Sequence, residues 1–394
     1  MTDAAPPPLP LPALFTRFLR FGCFAFGGPV AQIAMLRQAL VEEERWIAPE
    51  RFNRLLAVMQ ALPGPEAHEL CVHLGMIKRG RIGGLLAGIG FLLPGSVLMM
   101  ALAAAYTAFI AGRANLAAAL LGVQIAVLAI IARSIPKIGK HILTSRALWG
   151  FAALAMAATL AGVPFWVPLI ATGLAYALIR ADYWAVVVVA ACIVAAVSLT
   201  GERPALTPIP VAAIDGGTAT LGALFLAGLK GGLLTFGGAY TAIPYVRADT
   251  VGRGWLSDAQ FLDGVALANV IPTPLVIFAT FAGYIAGGPS GAVAITAGMF
   301  LPAFALSMIF FERLEAIVDN PRLHRLLDGV AAAAVGIISA TLVQLALAVW
   351  PRIESPVLAL AIFAAALVAA FQLKRAWAAP AIIAIAGVAG WTLL

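Results

Sequence analysis

The stretch Phe26-Gly27-Gly28-Pro29 interrupts an apolar segment near the start of the chain and follows a cation, Arg20, by six residues. A second stretch, Phe236-Gly237-Gly238-Ala239, follows another cation, Lys230, by the same interval. The two stretches lie 210 positions apart. A glycine pair inside an apolar run is a site where a helix can break, and here the break occurs twice. The pair therefore predicts that the chain consists of two related halves.

Further matches follow the two stretches in the same order, and their offset drifts only from 210 to 207. Chance rarely keeps an offset so steady, so the matches support an internal repeat. The matched pairs are Trp46 with Trp255, Phe52 with Phe261, Leu62-Pro63-Gly64-Pro65 with Ile271-Pro272-Thr273-Pro274, Leu93-Pro94 with Leu301-Pro302, and Gly122-Val123 with Gly329-Val330.

The composition places the chain among polytopic membrane proteins. Hydrophobic residues make up 62% of it and charged residues 11%, whereas soluble domains carry about 25% charged residues. The odd cysteine count, with Cys23, Cys71 and Cys192 all in apolar stretches, argues against a disulfide framework. The net charge of +7 comes from cations in short loops, so it indicates membrane topology rather than a nucleic-acid partner. The first residues lack the basic start and cleavage site of a signal peptide.

Apolar runs of about 20 residues predict the membrane spans. They form a set of six, one additional span and a second set of six, so the second set enters the membrane from the opposite side. The broken segments are also compatible with hairpins that re-enter one side. The predicted spans are 14–36, 52–76, 83–110, 115–132, 147–163, 165–180, 184–200, 219–247, 261–285, 289–312, 326–349, 356–373 and 377–394.

The loop charges predict the orientation. Even-numbered loops hold 15 lysines and arginines against 6 in the odd-numbered loops, which places the N-terminus in the cytoplasm and the C-terminus outside. The predicted fold is therefore an all-α polytopic membrane protein, with two six-span halves forming an inverted repeat around a linking span. We expect a Pro-rich tail at 1–13, a first half at 14–183, a linking span and linker at 184–218, and a second half at 219–394.

Matched breaks in an inverted repeat are typical of transporters, whose substrate site lies where the breaks meet. Pro29 and Pro65 fit the first position of a helix, because proline lacks the N–H that is unpaired there. The freed N–H groups and the positive end of the helix dipole then suit an oxyanion. Alternatively, the glycines only allow close packing, which is our interpretation of Gly84-x-x-x-Gly88 and Gly283-x-x-x-Gly287.

Charged residues near the breaks are the next candidates. Arg20 and Lys230 precede the two glycine pairs and could attract an anion; alternatively they extend to the interface, as we expect for Arg17. The polar residues Glu66, His68, Glu69 and His73 follow the first Pro-Gly-Pro, whereas their counterparts Leu275, Ile277, Phe278 and Ala282 are apolar. An ionised Glu66 would repel a dianion, so protonation of Glu66, with His68 nearby, could couple proton and anion movement.

Several motifs resemble the chromate transporter family, in its long-chain form with two domains. They include Phe26-Gly27-Gly28-Pro29 with Gln32-Ile33, Glu42-Glu43-Glu44-Arg45-Trp46-Ile47, Leu62-Pro63-Gly64-Pro65-Glu66-Ala67, Phe91-Leu92-Leu93-Pro94-Gly95 and Gly254-Trp255-Leu256-Ser257. The resemblance implies export of chromate, a divalent tetrahedral oxyanion, across a bacterial inner membrane, with exchange for another anion or coupling to protons. Ala239, Thr273 and His68 depart from the family pattern and leave the substrate preference open.

The predicted substrate site combines the breaks and their flanking residues, and no catalytic, cofactor or metal site is expected. Sulfate, molybdate or another oxyanion are rival substrates; a homodimer is compatible with the sequence, and lipids surround the chain. An intramembrane enzyme is the alternative of another class, but His68 and His73 lie five apart rather than the four of a zinc-protease helix. The predicted substrate-binding residues are Arg20, Phe26, Gly27, Gly28, Gln32, Pro63, Gly64, Pro65, Lys230, Phe236, Gly237, Gly238, Tyr240, Pro272, Thr273 and Pro274.

Overall fold

The computed structural model describes residues 9–61, 63–179, 181–200, 219–236, 238–309, 321–373, 375 and 377–394. The regular structure of these residues is helical, and they contain no strand. Four of the helical segments are long and apolar enough to cross a membrane. The helices are α1 (Leu11–Cys23), α2 (Gly28–Arg37), α3 (Pro49–Ala61), α4 (Glu66–Ala105), α5 (Ala117–Ile142), α6 (Arg146–Leu160), α7 (Trp166–Leu178), α8 (Asp182–Thr200), α9 (Leu221–Leu233), α10 (Ile243–Thr250), α11 (Asp258–Val270), α12 (Phe278–Ile309), α13 (Pro321–Val349), α14 (Pro356–Gln372) and α15 (Ala378–Leu393).

Helices α4 and α12 are each folded into a hairpin at matched positions. Gly80 in α4 has φ 60° and ψ −155°, and Gly288 in α12 has φ 64° and ψ −159°. The two arms of α4 pack so closely that a Cβ on Gly75 would lie 2.5 Å from the carbonyl oxygen of Gly83. Gly283 and Gly291 meet in the same way in α12. The two halves therefore share one structural plan, which confirms the predicted repeat.

The two segments before each hairpin fold back on themselves instead of crossing the layer of helices. Arg17 of α1 forms an ion pair with Glu44, which lies beyond α2. Lys230 of α9 likewise pairs with Asp249 of α10. These contacts join residues 27 and 19 positions apart, which a single straight span would hold far apart. For 14–36 and 219–247 these contacts therefore favour the re-entrant alternative over a single crossing.

The segments at 52–76 and 261–285 also re-enter. The ammonium of Lys78, at the tip of the first hairpin, lies 4.6 Å above the ring of Trp46, just before α3. In the second half a Cβ on Gly264 of α11 would lie 2.4 Å from the ring of Phe281 in α12. The cause is the same in both: the proline-containing break reverses the chain direction, so helix and returning arm lie side by side.

The tips of the two hairpins lie at opposite ends of the helix layer. The second arm of α4 runs from the tip at Arg79 to the turn at Arg113, which is long enough to cross a membrane. Tyr106, near the far end of this arm, packs edge-on against Phe281, seven residues from the tip of the second hairpin. We name the two ends the Arg79 end and the Arg113 end. The tip of the second hairpin lies at the Arg113 end, so the halves run in opposite senses.

The re-entrant segments change the predicted loop assignment. The stretch 37–51 returns to the Arg79 end, and the stretch 247–260 returns to the Arg113 end. Three arginines thus join the cation-rich side and two leave it, so the excess of cations at the Arg79 end persists. The three are Arg37, Arg45 and Arg51; the two are Arg247 and Arg253.

The two halves are joined by exchanged helices. Helix α5 of the first half packs against α14 and α15, while its counterpart α13 packs against α6 and α7. Small residues allow this approach: Gly122 of α5 meets Gly390 of α15, and Gly329 of α13 meets Gly173 of α7. Gly122 and Gly329 are one of the matched pairs in the sequence, so the repeat determines both the halves and their interface.

Candidate substrate site

The four interruptions between helices form the candidate site. We name them the first break (24–27), the second break (62–65), the third break (234–238) and the fourth break (271–274). The first and second breaks belong to the first half, and the third and fourth to the second half.

All four breaks lie beside the middle of the crossing arms. Before the first break, Gly22 packs against the carbonyl of Phe91; before the third, Gly232 packs equivalently against the carbonyl of Met299. At the fourth break, Thr273 packs against Gly95. The segments 91–95 and 299–303 are repeat-equivalent and lie about halfway along their arms, so the breaks share one level near the centre of the layer.

The second and third breaks are bonded directly, although they belong to opposite halves. The amide of Gly64 donates a hydrogen bond of 2.9 Å to the carbonyl of Thr235. Gly64 has φ 143°, and a Cβ there would also lie 3.6 Å from Ala303 of the second half. The interface between the halves therefore runs through the breaks.

The first break is the most open of the four. Gly27 and Gly28 have φ values of 85° and 75°, and a Cβ on Gly28 would meet no atom within 4 Å. The side chain of Phe26 is 40% exposed. Buried Gln32 donates a hydrogen bond of 2.8 Å to the carbonyl of Ala25, which fixes the start of α2 across the break. This backbone is therefore exposed on one side and held on the other.

The third break is more enclosed. Phe236 is buried, Gly238 has φ 126°, and the hydroxyl of Thr241 donates to the carbonyls of both. The hydroxyl of Tyr240 donates a bond of 2.9 Å to Asn269 at the end of α11, which ties the third break to the fourth. Gly237 lies outside the described residues.

The proline residues of the second and fourth breaks occupy matched positions. Pro65 caps the start of α4, and Pro274 precedes the helical turn that leads into α12. Both are buried, whereas Pro63 and Pro272 are half-buried. Each of these breaks therefore begins a helix inside the layer, although Pro65 is the residue before the first helical position rather than at it, since α4 begins at Glu66.

The two predicted cations differ in their surroundings. Arg20 is exposed and forms no ion pair with a described residue. The ammonium of Lys230 lies 2.9 Å from buried Asp249 and 4.7 Å from the ring centroid of Phe165. Arg17, expected to extend to the interface, forms an ion pair with Glu44 instead. Lys230 is thus largely neutralised, whereas the Arg20 charge is available to a ligand.

A third cation near the breaks, Arg133, was missed by the sequence reasoning. The apolar run appeared to end at residue 132, which placed Arg133 in a loop. Helix α5 continues through Pro136 to Ile142, so Arg133 lies inside it, half-buried. Tyr240, just after the third break, packs on the apolar cluster that includes Ile138 of the same helix. The composition of the sequence did not show how far this helix extends. A proline inside a membrane helix does not have to end it.

The polar cluster after the second break is buried between the halves. The ring of His68 has no exposed surface and lies edge-on to Phe300 and Phe304 of α12. Glu69 is 1% exposed, and no described residue gives its carboxyl oxygens a hydrogen bond. Glu66 is half-buried at the first position of α4. The sequence predicts a proton-coupling role for Glu66 and His68 but no separate role for Glu69.

A polar network at the Arg113 end was also missed. Buried Asp263 accepts hydrogen bonds from the hydroxyl of Tyr106 (2.8 Å) and the amide of Gln124 (2.9 Å). Arg352 in turn donates to Gln124 at 2.7 Å. These residues line a cavity of about 460 Å³ together with Arg113. The network joins both halves through residues far apart in the chain, which no sequence motif could indicate.

Comparison with known proteins agrees with this architecture. The model of the family described as chromate transporter matches residues 12–214 and 222–391. The chain belongs to the chromate transporter family. It is 55% identical to a chromate transport protein of Pseudomonas aeruginosa, over 99% of this chain and 94% of that protein. It is 31% identical to a probable chromate transport protein of Synechococcus elongatus, over 98% of this chain and 96% of that protein.

A chromate transport protein of Cupriavidus metallidurans is also 31% identical, over 86% of this chain and 84% of that protein. No solved structure matches the chain. This membership in a transporter family supports the transporter interpretation, and the family extends over both halves.

Proposed function

We propose that this chromate transporter family member exports chromate across the bacterial inner membrane and thereby confers chromate resistance. The observation that carries the proposal is the junction of the breaks: Gly64 of one half is bonded to Thr235 of the other near the centre of the layer. The names of the P. aeruginosa and C. metallidurans relatives support chromate as the substrate.

The breaks supply the chemistry that an oxyanion needs. A helix leaves its first N–H groups without partners inside the helix, and its dipole places partial positive charge there. Helices α2 and α4 begin at the first and second breaks, inside the apolar layer. In this environment broken backbone is tolerated only where it lines a cavity or packs on protein. Backbone amides here bind the oxygens of the anion.

Cations near the breaks add charge. Arg20 is the ligand-accessible cation on the first-half side, and Arg133 lies on α5, which shares an apolar cluster with Tyr240 just after the third break. Lys230 contributes less, because Asp249 already compensates its charge. Guanidinium groups match oxyanions with two parallel hydrogen bonds, which favours the two arginines in this role.

Alternating access follows from the opposed halves. The re-entrant segments of the first half enter from the Arg79 end and those of the second half from the Arg113 end. A rocking of one half against the other exposes the shared junction to each end in turn. We assign the Arg79 end to the cytoplasm because the loop cations accumulate there, which places the N-terminus inside and the C-terminus outside.

The transport cycle is coupled to protons or to a second anion. In the proton-coupled form, a group in the polar cluster after the second break changes protonation as the dianion enters; Glu66 and His68 are the candidates that the sequence indicates. Sulfate has the same charge and shape as chromate, so it is the principal competing substrate.

Chromate accumulation in cells tests the proposal. Cells that express the protein from a plasmid should accumulate less labelled chromate, and grow at higher chromate, than cells that express Gly28→Val to the same membrane level. Equal accumulation in both strains would refute export through the breaks. Competition by external sulfate in inverted vesicles would show whether sulfate shares the site.

A further inference from the structure

The carboxyl group of a buried residue, Glu69, lies at the second break, where the proposed function requires the transported anion to bind. A Cβ on Gly64 would lie 2.3 Å from a carboxyl oxygen of Glu69, so this carboxyl group lies directly against the second break. Glu69 is the fourth residue of α4, and its own amide donates to the carbonyl of Pro65. The side chain therefore turns back towards the start of its own helix, where the unpaired N–H groups of the first turn lie.

The surroundings of this carboxyl group are almost wholly apolar. It is 1% exposed, and neither oxygen receives a hydrogen bond from a described residue. Ala303 of α12 lies on the same side of Gly64, Phe300 and Phe304 of α12 pack against the ring of His68, and none of the three is ionisable. The third break contributes the carbonyl of Thr235 through Gly64.

The ionisable groups near Glu69 lie on its own helix and on α3. Glu66 acts on it electrostatically, and His68 and His73 share the first arm of α4. The positive charge of Arg51 on α3 lies close enough to His73 to influence it electrostatically. Glu69 lies directly against Gly64 of the second break, and Gly64 is bonded to the other half through Thr235. A carboxylate at this position and a divalent anion at the same helix start would repel each other strongly.

We propose that the carboxyl group of Glu69 and the transported oxyanion compete for the second break, so that a divalent oxyanion binds there only when Glu69 is protonated. This inference rests on the proposed function, because it requires the anion to bind at the breaks. It assigns the linked proton to Glu69 rather than to Glu66. The step is balanced: where Glu69 is ionised before binding, one anion and one proton enter the carrier together; where it is already protonated, the anion enters alone, and no bond within the protein breaks.

Proton uptake during anion binding tests the proposal on purified full-length protein. Sulfate, which is redox-inert, is titrated into the wild-type carrier by calorimetry in buffers that differ in ionisation enthalpy, which reports the protons taken up. The expected result is about one proton per sulfate at a pH where Glu69 is ionised, with affinity rising by roughly tenfold for each unit that the pH falls until Glu69 is protonated, and no uptake below that pH. Glu69→Gln should bind sulfate without proton uptake and without this pH dependence.

Glu66→Gln is the matched control, because it removes a neighbouring carboxyl group on the same helix turn. It should retain the proton uptake, and loss of the uptake in this variant alone would overturn the assignment to Glu69. Sulfate binding in the wild type that takes up no proton and keeps the same affinity at every pH, including alkaline pH, would overturn the inference while leaving the proposed site standing. Absence of both chromate and sulfate binding in the folded wild type would instead refute the proposed function. The wild-type measurement decides the matter even if Glu69→Gln fails to fold.

Discussion

The amide of Gly64 and the carbonyl of Thr235 form a 2.9 Å hydrogen bond across the interface between the two halves. Both residues lie in breaks rather than in helices, and both lie beside the middle of a crossing arm. The bond pairs a backbone N–H group of the second break with a backbone carbonyl of the third break. It also places the moving interface of an alternating-access carrier at the proposed binding site.

Substitution of the break glycines should abolish transport. Valine at Gly28 or Gly238 meets no neighbouring atom, but φ values of 75° and 126° are ones that a β-branched residue rarely adopts. The strain is of order 1–3 kcal/mol and shifts the backbone amides that would contact the anion. We expect chromate efflux to fall to background while membrane insertion persists.

Gly112→Val is the control for this pair. Gly112 has a φ of 74° and open space around it, but it lies in the turn at the Arg113 end, away from the breaks. Transport should survive there, apart from a modest loss of protein. If both break variants transport normally at equal expression, these glycines serve packing alone.

The ion pair of Lys230 predicts a stability effect rather than a simple loss of affinity. Lys230→Gln leaves buried Asp249 with only the 3.4 Å contact to Arg253. The loss should cost about 1–3 kcal/mol and lower the unfolding temperature in detergent. Restoration of the temperature in the double variant Lys230→Gln with Asp249→Asn would identify a structural ion pair. An unstable double variant would contradict that interpretation.

Arg20 and Arg133 should behave differently from Lys230. Neither forms an ion pair with a described residue, so Arg20→Gln and Arg133→Gln should leave the unfolding temperature nearly unchanged. Each should weaken anion affinity by about ten- to a hundredfold, the value of one charge-assisted hydrogen bond. Lys137→Gln, an exposed change one turn after Arg133, is the control and should have little effect. Because Arg20 belongs to the first half, its loss should weaken affinity more from one side of oriented vesicles.

The re-entrant segments can be tested by cysteine accessibility. In a variant without Cys23, Cys71 and Cys192, a cysteine at Arg45 should react from the same side as one at Lys140, and a cysteine at Ser257 from the side of Arg113. Reporter fusions at the chain ends would then assign the Arg79 end to the cytoplasm. Labelling of position 45 from the Arg113 side would restore the original assignment of 14–36 as a crossing.

The repeat, the breaks and the helical class were predictable because Gly and Pro interrupt the apolar runs at matched positions. The direction of the chain after each break was not, because an apolar run of suitable length has the same composition whether it crosses or returns. The pairing of Lys230 with Asp249 depends on that return, so it could not be anticipated. Arg133 was placed in a loop because the apolar run ends at residue 132, although helix α5 continues to Ile142. Glu69 gained its role only from its contact with Gly64, which depends on the fold of the second break.

Counterflow in proteoliposomes tests the central claim most directly. Vesicles loaded with unlabelled chromate and containing purified protein should accumulate external labelled chromate, and external sulfate should be tested as a competitor. We expect rapid counterflow with the wild-type protein and none with Gly28→Val or Gly238→Val, while Gly112→Val retains it. Absence of chromate counterflow with the folded wild type, or equal counterflow in the wild type and the two break variants, would contradict transport of chromate through the four breaks.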